Sequence, residues 1–153
     1  MEVDKTKHHQ AKVFALAAID FAMVGADGSL YRGTGQKLED YYGFDSVITA
    51  AADGTVRMVE QDYPDLPPGV GGKFDEANSI GIEHSPLERT DYAHIRQGSA
   101  LVHVGDTVKA GQPIARVGNS GASGRPHLHF TLDMPVKSAR VQEGWMMEFP
   151  KHE

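Results

Sequence analysis

Residues 127–132 read His127-Leu128-His129-Phe130-Thr131-Leu132, a strict alternation of polar and apolar side chains. Because successive side chains of a β-strand point to opposite faces, this alternation predicts a half-buried strand. Its apolar side chains would face the core, and its two histidines would lie side by side on the opposite face. A loop of small residues, 118–124, leads into it. We therefore expect two imidazoles held on rigid backbone beside a glycine-rich loop.

Much of the remaining chain consists of short apolar segments separated by turn residues. Segments 47–51 and 55–60 flank Asp53-Gly54, a dipeptide typical of tight turns, and together they predict a β-hairpin. Alanine-rich residues 13–23 would also permit a helix, but a buried strand fits the surrounding pattern better. Further strands are predicted at 79–84, 91–95, 101–104 and 107–117.

This pattern predicts a mainly β fold, a single domain of antiparallel sheets with long connecting loops and little helix. Loops 24–46, 61–78 and 118–126 are expected to form the walls of a groove in which an extended peptide could lie. We place an N-terminal segment at 1–7 and a C-terminal tail at 136–153. The domain itself is predicted to span 8–153, with 24–46 and 61–78 as loop insertions.

Composition narrows the classes of function. The chain has 153 residues, a length typical of one domain, and its formal net charge of −6 argues against a nucleic-acid binder that relies on a basic surface. There is no cysteine, so any metal must be held by His, Asp or Glu. The sequence contains no apolar stretch of ~18 residues, so it predicts no membrane span. The start, Met1–Lys5, is charged and lacks the apolar segment of a signal peptide.

The residues that can carry chemistry are histidines and one aspartate. Two histidines and one carboxylate suffice for a zinc site with an open fourth position, the catalytic arrangement. Spacing alone does not choose the ligands, and exposed polar side chains with no metal are an equally simple interpretation of the His-x-His pair and of the aspartate. The candidates are His8 or His9, Asp20, His94, His127 and His129. By contrast, His84 is expected to be a structural histidine with satisfied hydrogen bonds, and His103 to face solvent.

The order of the motifs resembles the lysostaphin-like (LytM-type) zinc metallopeptidase domains over residues 8–135. Each matching piece is weak by itself, and the resemblance rests on all of them occurring in this order. The pieces are His8-His9, Ala18-Ile19-Asp20-Phe21, Val47 to Val56, Ile80 to His84, Tyr92-Ala93-His94-Ile95, Val104 to Ile114, Gly118-Asn119-Ser120-Gly121 and Pro126 to Phe130.

The resemblance implies a zinc-dependent endopeptidase that cleaves stem-peptide cross-links or interpeptide bridges of bacterial peptidoglycan. It implies one Zn²⁺ ion held by His9 (or His8), Asp20 and His129, with His94 and His127 acting in catalysis. A location in the cell envelope, periplasmic or extracellular, follows from the same resemblance. Many members place the first histidine four residues before the aspartate, whereas His9 stands eleven residues before Asp20.

Two other functions are compatible with parts of the sequence. An inactive domain of the same fold could bind cell-wall peptide or activate another hydrolase, and metal analysis would distinguish it from the enzyme. A carrier module is suggested by Gly105 to Gln112, which resembles a turn of biotinyl and lipoyl domains. Those domains require a lysine at a hairpin tip, where this chain has Asp53-Gly54. The enzyme is therefore the favoured interpretation.

Overall fold

The computed structural model describes residues 13–135, with the side chains of residues 18–133. Eight strands form two sheets, and every named pair of strands is antiparallel. The strands are β1 Val13–Phe21, β2 Val47–Thr49, β3 Gly54–Glu60, β4 Ser79–Ser85, β5 Glu88–Ala93, β6 Thr107–Val108, β7 Pro113–Arg116 and β8 Leu128–Pro135. Two 3₁₀ helices cover Leu38–Asp40 and Phe74–Glu76. The predicted mainly β, antiparallel fold with little helix is confirmed.

The larger sheet has the strand order β1-β8-β5-β4-β3-β6, and β2 pairs with β7 in a separate sheet of two strands. Apolar side chains of both sheets form one buried cluster, to which β2 contributes Ile48, β4 Ile80 and Ile82, and β7 Ile114. Burying a side chain of this size stabilises the fold by roughly 1.5–3 kcal/mol. The core covers one face of the large sheet, and the other face remains open.

The predicted hairpin between 47–51 and 55–60 is wrong. The strand β2 pairs with β7, whereas β3 pairs with β4 and β6. Asp53 and Gly54 therefore carry the chain from one sheet to the other. The Asp53 carboxylate accepts hydrogen bonds from the Ala110 backbone N–H at 2.9 Å and from Lys109 Nζ at 2.7 Å, which ties this turn to the segment before β7. A dipeptide that permits a tight turn does not determine which strands pair on either side of it.

Two further expectations need correction. Residues 101–104 form no strand, and segment 107–117 is divided between β6 and β7 by a turn. The apolar face of β8 is also only half-buried at Leu128 and Phe130, although the Phe130 ring packs edge-on against Tyr92 at 5.3 Å between centroids. Within the described part of the chain, no helix is long and apolar enough to cross a lipid bilayer.

Candidate metal and catalytic centre

The pairing of β1 with β8 brings together residues that are far apart in the chain. Asp20 lies directly opposite His129 in the register, although 109 positions separate them. The His129 Nδ1–H group donates a hydrogen bond of 2.7 Å to Asp20 Oδ1. Both side chains lie at the same end of the two strands, next to the loop that precedes β8. The sheet thus holds one carboxylate and one imidazole at contact distance.

His127 completes a cluster of three possible ligands. Its Nε2 atom lies 3.6 Å from Asp20 Oδ1, and one donor atom from each of Asp20, His127 and His129 falls within 4.8 Å of the others. Two imidazole nitrogens and one carboxylate oxygen are a donor set that Zn²⁺ accepts. The residues present therefore fit a zinc ion in both type and proximity.

Two histidines have one ring nitrogen fixed by a backbone carbonyl. His94 Nδ1 lies 2.7 Å from Ser120 O, and His127 Nδ1 lies 2.8 Å from Arg125 O. Because a carbonyl oxygen only accepts, the proton of each neutral imidazole must be on Nδ1. Each Nε2 atom then keeps its lone pair, and the two rings lie 4.8 Å apart between centroids. In their neutral forms the two rings therefore stand side by side with a proton-accepting nitrogen each.

The electrostatics of the centre favour an ionised carboxylate at Asp20 and a neutral imidazole at His94. The hydrogen bond from His129 lowers the pKa of Asp20, and the charge that His127 can carry adds to this, although partial burial acts against it. Burial lowers the pKa of His94, and its neighbours His127 and His129 act in the same direction. His94 is thus kept neutral at neutral pH, as a general base must be.

The backbone of His94 is also unusual. Its φ angle is +60°, in the left-handed region that residues other than glycine rarely occupy. Such conformations cost about 1–3 kcal/mol and occur where the surrounding structure holds them in place, often at functional sites. Hydrogen bonds on both sides hold this turn, from Ile95 N–H to Asn78 O at 3.3 Å and from Gly118 N–H to His94 O at 2.9 Å.

The small-residue loop 118–124, expected to be a wall of the groove, also positions His94. Ser120 is fully buried, and its Oγ atom accepts from Asn78 N–H at 3.0 Å and donates to Ile95 O at 3.1 Å. This fixes the Ser120 carbonyl that orients His94. Gly121 has φ +69°, and a Cβ atom there would lie 2.6 Å from Ala77 Cα. Only glycine therefore allows the loop to lie this close to residues 61–78.

Sequence reasoning missed the residues that hold this loop. Asn78 acts through its backbone and side chain, Asp65 Oδ1 accepts from Asn119 N–H at 2.7 Å, and Arg125 supplies the carbonyl for His127. The density of glycine and serine between 118 and 124 was the one signal that pointed to this region. It could not identify Asn78 and Asp65, because they lie tens of residues earlier in the chain.

A groove with a volume of about 850 Å³ runs along the open face of the large sheet and contains the histidine cluster. Its walls come from Phe74, Asp75 and Ala77 on one side and from residues 122–124 on the other. The expectation that loop 24–46 also lines this groove is wrong. Gly43 and Ser46 of that loop line an apolar pocket formed with Leu128 and Phe130, and alternation along β8 places this pocket on the opposite face of the sheet.

The structure therefore brings together four of the predicted site residues. Asp20, His127 and His129 form the cluster, and the His94 ring lies 6.0 Å from that of His129. His8 and His9, the alternatives for the first zinc ligand, lie outside the described residues. His103 is exposed, as expected, with 89% of its side chain accessible.

The expectation for His84 is confirmed as well. Its Nδ1 atom lies 2.8 Å from Asp53 O and its Nε2 atom 2.7 Å from Thr90 Oγ1, so both ring nitrogens are used within the fold. His84 is a structural histidine at the end of β4.

Curated relatives match the chain over parts of its length. It is 30% identical over 136 residues to the peptidoglycan DD-endopeptidase ShyC of Vibrio cholerae, covering 83% of this chain and 28% of ShyC. It is 47% identical over 53 residues to the murein hydrolase activator EnvC of Escherichia coli, covering 35% of this chain and 12% of EnvC. The chain thus spans less than a third of the length of these relatives.

Lysostaphin matches in both sequence and structure comparisons. The chain is 48% identical over 58 residues to lysostaphin of Staphylococcus simulans, covering 37% of this chain and 11% of lysostaphin. The crystallised catalytic domain of that protein aligns over 78% of this chain and 83% of its own length, with 25% identity and a TM-score of 0.48.

The sequence model of one protein family matches most of the chain. Residues 34–142 match it, so the match includes His94, His127 and His129 and begins after Asp20. The structure adds Asp20 through the pairing of β1 with β8. The chain belongs to peptidase family M23.

Proposed function

We propose that this protein is a zinc-dependent endopeptidase that hydrolyses peptide bonds of bacterial peptidoglycan. One observation carries the proposal: Asp20, His127 and His129 offer three donor atoms within 4.8 Å, beside a third imidazole, that of His94, with a proton-accepting nitrogen. The names of the relatives, which include a peptidoglycan endopeptidase, support the class of substrate and a place in the cell envelope.

Asp20 and His129 would hold one zinc ion, with His9 as the third protein ligand. His127 Nε2 is also within reach of the cluster, so His9 and His127 compete for the third position in this proposal. When bound, zinc polarises a carbonyl oxygen and lowers the pKa of a coordinated water from ~15.7 towards ~7. The carboxylate of Asp20 is suited to this site because His129 already holds it in the ionised form.

His94 and His127 would move protons. Both carry the Nδ1 proton on a backbone carbonyl, which leaves Nε2 to accept a proton from the attacking water. One histidine would take that proton at Nε2, and the imidazolium so formed could pass it to the leaving amine. The other histidine would hydrogen-bond the developing oxyanion or protonate the amine in a form that carries a proton on Nε2 as well. A positioned general acid or base typically contributes ~10²–10⁴ in rate. The carbonyls of Ser120 and Arg125 hold the two rings in orientation for these roles.

The groove would bind the peptide in an extended conformation. Its floor is a flat sheet face and its walls are the loops at 74–77 and 122–124, which leave the histidine cluster open to a chain lying along the strands. The bond cleaved would be the one whose carbonyl oxygen reaches the zinc ion that Asp20 and His129 would hold. Peptidoglycan peptides, both stem-peptide cross-links and interpeptide bridges, are the substrates we propose.

The proposal is tested by incubating the zinc-loaded protein with purified peptidoglycan and identifying the released fragments by mass. We expect fragments with new amino and carboxyl termini within the peptide part, and none from the chelator-treated protein. Release of peptide-intact glycan fragments, or no release at all by a protein with one zinc per chain, would contradict the proposal.

A second candidate function is that of an inactive domain that activates another hydrolase. The observation that favours this second function is the 47% identity to the murein hydrolase activator EnvC, which extends over 53 residues. The zinc content of the purified protein discriminates between the two, because the activator requires no metal. Absence of stoichiometric zinc, together with faster digestion of peptidoglycan by an added murein hydrolase, would favour the activator.

A further inference from the structure

An apolar pocket lies directly behind the candidate metal centre, on the opposite face of the large sheet. Phe21 of β1 pairs with Leu128 of β8, and these residues are the chain neighbours of Asp20 and His129. Because side chains alternate along a strand, Phe21 and Leu128 point away from the groove. Both line the pocket, which has a volume of about 600 Å³.

The inner lining of this pocket belongs to the core, whereas its rim is exposed. Ile48 and Tyr92 are buried members of the core cluster and also line the pocket. At the rim, Phe21 and Met23 are each 53% exposed and Val47 is 52% exposed. Apolar surface gathered in one place, and continuous with the core, is typical of a binding surface.

The lining favours an apolar occupant. Among residues 18–133, no side chain that carries a charge lines the pocket. Two of its polar groups are already used within the fold, because the Ser46 hydroxyl donates to Met23 Sδ at 3.0 Å and the Tyr92 hydroxyl accepts from Ala51 N–H at 2.8 Å. A charged segment would find no oppositely charged partner there, so its desolvation would be costly.

Two segments of this chain lie outside the described residues, and their compositions differ. Residues 1–12 contain three lysines, two histidines and two acidic residues. Residues 136–153 include the run Trp-Met-Met-Glu-Phe at 145–149, in which four of five side chains are apolar. Gly144 precedes this run and Pro150 follows it, and both residue types are typical of turns. The run 145–149 therefore has the composition that the pocket requires.

This run can reach the pocket from the end of β8. The strand has eight residues from Leu128 to Pro135, so it is roughly 23 Å long at about 3.3 Å per residue. Trp145 follows Pro135 by ten residues, which span up to roughly 33–36 Å when extended. The difference leaves about three residues for the chain to reverse direction. The match to the family model ends at residue 142, so Trp145 lies beyond it.

We propose that residues 145–149 of the same chain dock in the apolar pocket, with the Trp145 indole as the anchor. A tryptophan side chain buries about 150–250 Å² and is a frequent anchor of apolar contacts. Docking would cover the exposed rim and close the back of the strand pair that carries Asp20 and His129. The proposal goes beyond the proposed function, because it holds whether or not the protein hydrolyses peptides.

Trp145 reports on its own surroundings, since the chain has no other tryptophan. The test measures iodide quenching of tryptophan fluorescence in the full chain, native and unfolded in urea. A group seated in a pocket loses about 70–90% of its accessible surface, so we expect native Trp145 to be quenched about three- to tenfold less than unfolded Trp145. Equal quenching constants would overturn the proposal.

Val47→Asp places a carboxylate at the rim and should raise the quenching constant close to that of the unfolded chain. The matched control is Val104→Asp, because Val104 is also exposed, at 63%, and does not line the pocket. The control should keep the protection of Trp145, and circular dichroism confirms the fold of each variant. Protection that survives Val47→Asp in a folded protein, or that is lost equally in both variants, would contradict docking in this pocket.

Cross-linking gives a second measurement that does not depend on how Val47→Asp folds. Because the chain has no cysteine, Val47→Cys combined with Met147→Cys creates one defined pair for a short bismaleimide. We expect this pair to cross-link within one chain, and Val104→Cys combined with Met147→Cys to react much less. Equal cross-linking of the two pairs, or none in either, would overturn the proposal.

A second copy of the chain could supply the run instead. Docking within one chain predicts the same quenching constant over an about hundredfold range of protein concentration, because mass action affects only association between copies. It also predicts cross-linked products with the mass of a monomer. Protection that appears only at high concentration, together with cross-linked dimers, would overturn docking of the chain's own segment.

Discussion

Two regions of the large sheet differ in how many ring nitrogens of their histidines are bonded within the fold. At the end of β4, both nitrogens of the His84 ring are bonded to groups of the fold, Asp53 O and Thr90 Oγ1. In the groove, His94 and His127 each have one nitrogen fixed by a carbonyl and the other unused. Burial does not distinguish the regions, since His84 and His94 are both half-buried. The difference that matters is the number of ring nitrogens left for a ligand or a proton.

The largest expected effect is on the metal. His129→Ala removes the imidazole that lies 2.7 Å from Asp20, leaving one carboxylate of the central pair. We expect the variant to lose stoichiometric zinc and to hydrolyse peptidoglycan no faster than the chelated wild type. Zinc content is measured by atomic emission after gel filtration. A variant that keeps one zinc per chain would remove His129 from the ligand set.

His127→Ala should separate metal binding from turnover. If His127 acts as acid or base, the variant keeps its zinc and its rate falls by ~10²–10⁴. Zinc content and fragment release are measured on the same preparation, with His9→Ala and His8→Ala alongside. Loss of zinc in His127→Ala and its retention in His9→Ala would instead make His127 the third ligand.

His94→Gln tests the proposed role of the His94 imidazole in proton transfer. Glutamine can still donate to the Ser120 carbonyl, which is 2.7 Å from His94 Nδ1, but it does not accept a proton near neutral pH. We expect unchanged zinc content and a rate lower by about 10²-fold or more. Thermal unfolding serves as the control for the strained backbone at this position. A rate within threefold of the wild type would exclude His94 from catalysis.

The smallest expected effect on activity comes from His84→Gln. Because both nitrogens of His84 bond within the fold, its replacement should lower the free energy of unfolding by about 1–2 kcal/mol, the net value of one or two hydrogen bonds. Zinc content and rate per folded molecule should not change. Urea unfolding measures the free energy of unfolding. A tenfold loss of rate in a folded variant would contradict the distinction between the structural histidine His84 and the histidines of the groove.

The sequence predicted which side chains face the groove better than the pairing of the strands around it. Period-two alternation at 127–132 placed His129 and Phe130 on opposite faces, because side-chain direction is a local property of a strand. The hairpin at Asp53-Gly54 failed for the converse reason. Pairing of β2 with β7 depends on a shared core more than sixty residues away, which a local turn motif does not report.

The sequence indicated which side chains gather at the site, but it did not indicate the residues that support them. Asp20 and His129 belong to residue types that bind metals, and their roles could be carried over from a resemblance. Ser120 and Asn78 act through a buried hydroxyl and backbone groups, and such roles leave no mark in a single sequence. His9 remains a prediction, since it lies outside the described residues.

The central claim is that Asp20 of β1 and His129 of β8 bind one zinc ion together. Anomalous diffraction at the zinc edge from crystals of the zinc-loaded protein tests it most directly. We predict a single strong peak within bonding distance of both side chains, with a histidine from 8–9 completing the protein ligands. A peak that contacts neither Asp20 nor His129, or none in crystals soaked with zinc, would contradict the claim.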